Sequence, residues 1–70
     1  MTKFLLVLQI CSALHGNCLP QQTVDLYDSW YDCAKAGLSE TITLLDIIGE
    51  DMINNNRIII TFSCSPENEV

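Results

Sequence analysis

The sequence predicts a small mixed α/β fold, a single β-α-β unit in which two strands flank one long amphipathic helix. Three stretches predict it. Residues 3–11 (KFLLVLQIC) are a short apolar run. Residues 29–54 (SWYDCAKAGLSETITLLDIIGEDMIN) repeat their apolar positions with helical period. Residues 57–64 (RIIITFSC) are dominated by β-branched and aromatic residues. The full 70 residues make one small domain. A chain of this size buries only about 60% of its unfolded surface, so disulfides, a metal or oligomerisation usually supplement the core.

The first run, residues 3–11, reads as a buried strand. A secretory signal is the competing reading, but the apolar core is short and Gln9 interrupts it. It is far too short to span a bilayer. Residues 12–28 carry Gly16, Asn17 and Pro20 without a sustained period, and read as a loop with a turn at residues 15–18.

The helix is expected over residues 29–54. At 100° per residue, Trp30, Ala34, Gly37, Leu38, Thr41, Leu44, Leu45, Ile48 and Met52 share one wide stripe. Asp32, Ser39, Thr43, Asp46 and Glu50 lie opposite. Ser29 is a good N-cap, Asp32 suits the positive end of the dipole, and the Asn54, Asn55, Asn56 run marks the end. Gly49 is a rival stop, but Met52 and Ile53 carry the pattern past it. Ile42, Ile47 and Ile53 lie outside the stripe, and mark either a contact with another chain or singly exposed apolar residues.

The second strand is expected over residues 57–64. Ile58, Ile60, Phe62 and Cys64 share one face; Ile59, Thr61 and Ser63 share the other. Ser65 and Pro66 open a polar tail, residues 65–70. A strand, helix, strand order makes the two strands parallel when they pair. Two strands leave both edges open, so the sheet is expected to be completed by a partner or a second copy.

In that parallel arrangement Cys11, Cys18, Cys33 and Cys64 gather near one pole. Disulfides are the preferred reading, as Cys11–Cys64 and Cys18–Cys33, out of three pairings that four cysteines allow. Free buried thiols and a four-cysteine zinc site remain alternatives, although the spacing matches no finger and lacks a Cys-x2-Cys knuckle.

Other chemistry lacks its residues. His15 is the single histidine and falls in a turn, so a Cys-His nucleophile is not favoured. No redox Cys-x-x-Cys or phosphate-cradling glycine pattern occurs. Asp46, Glu50 and Asp51 read as a solvated helix face. No cofactor and no enzymatic activity are expected. The formal net charge is −6, with Lys3, Lys35 and Arg57 the basic residues, which disfavours direct nucleic-acid binding. Trp30 reads as a core anchor, while neighbouring Tyr27 and Tyr31 are candidates for a partner contact, as are Ile42, Ile47 and Ile53.

Cys11-Ser12 with Gly16-Asn17-Cys18, Tyr31-Asp32-Cys33-Ala34 with Gly37, and Ile60-Thr61-Phe62-Ser63-Cys64 together carry a resemblance. The chain resembles short proteins encoded by marine bacteriophages, cyanophages included. That resemblance implies a viral origin, in the virion or the infected bacterial cell, and lends no catalytic residues. Small size, open sheet edges, the flank isoleucines and the missing catalytic groups make the expected role protein–protein binding, as a structural or decoration component of the virion. An acidic host-directed inhibitor is the alternative, and a zinc or thiol module a third reading.

Overall fold

The computed structural model describes residues 2–68. The chain runs β1 (Thr2–Ser12), β2 (Asn17–Cys18), β3 (Gln22–Tyr27), α1 (Trp30–Ile48), α2 (Glu50–Asn56) and β4 (Ile58–Asn68). The fold is mixed α/β, as expected, but its sheet is antiparallel. β4 pairs along the whole of β1, from Thr2 opposite Asn68 to Ser12 opposite Ile58. The other edge of β1 pairs with β2 near Cys11 and with β3 from Phe4 opposite Tyr27 to Leu8 opposite Gln22.

The expected loop over residues 12–28 is thus the return arm of a hairpin. Gly16 takes a positive φ of 69° at the turn, and its N–H donates to the Ser12 carbonyl at 2.8 Å. Once the hairpin occupies one edge of β1, the last strand must use the other. β3 and β4 are each antiparallel to β1, so they run parallel to one another with β1 between them. The parallel relation across the helix therefore holds for β3 and β4, and the expected parallel pairing of the first and last strands is wrong. The short β3, QTVDLY, is exposed along most of its length. Val24 and Leu26 alternate with Thr23 and Asp25, but over too few residues to stand out from the loop signals around them.

Ser29 caps α1 as expected, in extended backbone, its Oγ accepting from the Asp32 N–H at 3.0 Å. The expected continuous helix is broken at Gly49, whose φ of 92° and ψ of 153° no helix contains. This break turns α2 back over the end of the hairpin. There Ser12 Oγ donates to the Asn56 carbonyl at 2.8 Å, and the Ala13 N–H donates to the Arg57 carbonyl at 2.9 Å. Arg57, not an asparagine, takes the left-handed residue that ends α2. Ser65–Asn68 of the expected polar tail belong to β4; Glu69 and Val70 lie outside the described residues.

Partners in register share a face, so Phe4, Leu6, Leu8 and Ile10 of β1 join Ile60, Phe62 and Cys64 of β4 beneath α1. Gly37 of α1 lies on the Phe62 ring, where even a methyl group would overlap it. Among the described residues the buried apolar side chains are Leu6, Leu8 and Cys33. Trp30 is not the buried anchor expected. Its ring meets Phe4 edge-on at 5.6 Å but stays 57% exposed. Leu38 and Met52, expected in the core stripe, are also exposed. The reason is geometric: one helix on a three-strand-wide sheet buries a narrower arc than the apolar stripe spans.

Candidate functional site

Cysteine chemistry comes first, because the topology redistributes the four thiols. Cys11 bonds Cys18 across the hairpin, and Cys33 of α1 bonds Cys64 of β4. All four cysteines are in disulfides, but in neither of the pairs preferred from the sequence. Antiparallel register explains this: Cys11 lies opposite Ile59, and Cys64 lies opposite Leu6. Five residues of β1 separate the two bridges, about 17 Å. The cysteines therefore do not gather at one pole, and a tetrahedral zinc site from Cys11, Cys18, Cys33 and Cys64 does not form. Among the described residues no group of His, Cys, Asp and Glu comes together that could hold a metal ion.

His15 is exposed in the hairpin turn, with its backbone N–H on Ser12 Oγ at 3.2 Å. Its neighbours Cys11 and Cys18 are bonded to each other, leaving no thiolate for it to activate. Asp46, Glu50 and Asp51 are all exposed. A shallow hollow of about 400 Å³ lies between β3 and α1, with Leu26, Tyr27, Asp32 and Lys35 among its lining residues. A smaller one of about 270 Å³ lies where Leu19, Met52 and Asn56 meet the strand ends. Both are open to solvent, and the larger is lined by the polar side chains of Asp28, Asp32, Lys35 and Ser39.

What the fold does leave exposed is one apolar flank of α1 beside the outer edge of β4. Asp32, Ala36 and Ser39 line the hollow with β3, so that flank of α1 looks toward β3. The opposite flank, carrying Tyr31, Leu38, Ile42 and Leu45, looks toward β4. Tyr31 is 69% exposed, Leu38 59% and Ile42 61%. Lys35 Nζ sits 5.6 Å from the Tyr31 ring centroid, where its charge meets the ring face. Beside this flank runs the outer edge of β4, which no described strand pairs.

Of the candidate contact residues, Tyr31 and Ile42 thus fall together. Ile47 is 74% exposed but on the β3 side, while Tyr27 and Ile53 are half-buried. Leu38 was missed because it also fits the core stripe. The signal that places it on the flank is the spacing of Tyr31, Leu38 and Leu45, seven residues apart, with Ile42 between them.

The two sheet edges differ sharply. The β2–β3 edge is interrupted at residues 19–21, which include Pro20, and bulged at Val24 between Asp25 and Thr23. Such features discourage further pairing. Residues 58–64 of β4 contain no charge, proline or register shift. The sheet face away from the helices carries Leu5, Val7, Leu26 and Ile59, the last 49% exposed. No helix among the described residues is long and apolar enough to cross a membrane. No protein-family model, curated protein or solved structure matched the chain.

Proposed function

We propose that this chain is a non-enzymatic bacteriophage protein that works by protein–protein binding, as a structural or decoration component of the virion. The observation that carries the binding role is the unprotected apolar edge of β4 beside the exposed flank of α1. An edge of this kind is a template for strand addition, and natural proteins otherwise blunt it. The two disulfides favour an oxidising setting, such as the exposed surface of a particle, over a reducing cytoplasm. The viral assignment rests on the sequence resemblance.

Mass spectrometry of purified particles tests the structural role. Stoichiometric recovery of the chain with both disulfides intact is the expected result, and its absence from particles overturns the role. The net charge of −6 favours one other reading, an acidic inhibitor of a basic host protein. Pull-down from host lysate would then return one dominant basic partner.

A further inference from the structure

We infer that the occupant of the β4 edge is a second copy of this chain, joined through a two-fold axis at Thr61. The inference rests on the binding role proposed above and names the partner. It is carried by backbone direction, by the place of α1 over the sheet, and by exposed area.

Backbone direction sets the register. The Arg57 carbonyl accepts from the Ala13 N–H, on the β1 side. Leu19 N–H donates to the Ile10 carbonyl on the opposite side of β1. Antiparallel strands alternate the direction of their polar groups, so odd-numbered β4 residues address β1. The backbone groups of Ile58, Ile60, Phe62 and Cys64 then point outward. Pro66, which lacks an N–H, also falls on this outward side, where proline is tolerated. Of the antiparallel registers that keep Pro66 out of the ladder, the longest pairs the whole stretch 58–64 with itself, which puts Thr61 on the axis. Ile58 then pairs with Cys64 of the second copy, and Ile60 with Phe62.

Such an axis stands perpendicular to the sheet and keeps both helices on one face. α1 packs equally on β1 and β4, so it lies near the seam between them. Strands are about 4.8 Å apart. The two α1 helices would therefore lie about 10 Å apart, at the usual spacing for packed helices. Gly37 sits at the level of Phe62, and one strand residue further on, the axis meets α1 near Leu38. Leu38 then faces its own copy, with Tyr31 opposite Leu45 and Ala34 opposite Ile42 of the other chain. The flank left exposed in one chain is thereby covered by the same flank of the next.

Area and charge agree. The chain exposes 5022 Å², about 600 Å² more than the ~4,400 Å² expected for a compact protein of its mass. A standard interface takes about 800 Å² from each partner. Tyr31, Ala34, Leu38, Ile42, Leu45 and residues 58–64 carry no net charge, so two copies at −6 can meet here without opposing carboxylates.

Sedimentation and native mass spectrometry of the full chain at micromolar concentration test this, with wild type expected to be dimeric. Thr61→Lys places two ammonium groups side by side on the axis, and Leu38→Glu two carboxylates. Both side chains are exposed in a single chain, so each variant should keep its circular dichroism while dimer affinity falls at least tenfold. Register is read separately. In an antiparallel pair without direct hydrogen bonds, opposed Cα atoms lie about 4.5 Å apart. Thr61→Cys should therefore form a covalent dimer on mild oxidation, while Ser63→Cys, four residues out of register with its own copy, should not. A wild-type chain that stays monomeric, or Ser63→Cys crosslinking as readily as Thr61→Cys, overturns the inference. Should wild type be monomeric while Thr61→Lys still loses its place on particles, the second copy fails and the binding edge stands. Thr61→Lys behaving as wild type in both assays overturns both.

Discussion

Removing the Cys33–Cys64 bridge should cost far more stability than removing Cys11–Cys18. The two bridges span 31 and 7 residues of sequence. Loop-closure entropy then assigns about 3.7 kcal/mol to the long bridge and about 2.5 kcal/mol to the short one. The long bridge also lies in the core: Cys33 is 0% exposed, so cutting it back to alanine leaves a small cavity beside Leu6 and adds a further cost. A chain of this length has roughly 3.5–10 kcal/mol of stability in all. C33A/C64A should accordingly be close to unfolded at 25 °C, whereas C11A/C18A should remain folded with a lowered urea midpoint. Urea unfolding followed by circular dichroism, without reductant, measures both. Equal losses in the two variants, or a larger loss in C11A/C18A, would refute the reasoning. So would a peptide map linking Cys11 to Cys64.

Three smaller perturbations probe the elements that hold α1 on the sheet. Gly37→Ala improves helix propensity by about 1 kcal/mol, but overpacking against Phe62 costs roughly 1–3 kcal/mol; net destabilisation of about 1 kcal/mol is expected in thermal unfolding, reversing to a gain in a Phe62→Ala background. Gly49→Ala meets nothing in space, yet must hold a positive φ with extended ψ, and should lose about 1–3 kcal/mol; a neutral result in urea titration would show that the helix break relaxes. Ser29→Ala removes the oxygen that accepts from the Asp32 N–H and should cost about 1 kcal/mol, seen as a fall of roughly 4–8 °C in melting temperature.

The local elements were largely legible in the sequence because they depend on neighbours along the chain. The apolar run of β1, the β-branched run of β4 and the 3.6-residue repeat of α1 each mark their element directly, and the Ser29 cap needs only a side chain three residues from an amide. The short, exposed β3 left only a weak mark. It exists because β1 offers it a partner edge, and this pairing lies outside its own residues. The pairing of strands likewise depends on what occupies each edge of β1. Once the Gly16 hairpin takes one edge, the crossover through α1 returns β4 parallel to β3 and so antiparallel along the other edge of β1, and Cys64 falls opposite Leu6, five residues of β1 away from Cys11.

The candidate surface divides in the same way. Ile42 was visible as a departure from the core stripe, which helical phase alone sets apart, and Tyr31 as one of the aromatic residues where the chain enters the helix. That Leu38 joins them, and that their flank overhangs the unpaired edge of β4, was decided by where α1 rests on the sheet. Gly37 and Cys33 set that place, one by allowing close approach to Phe62, the other by bonding to Cys64. Composition determined a small acidic chain short of core; only the tertiary structure decided which of its apolar residues found cover inside the chain and which were left facing outward.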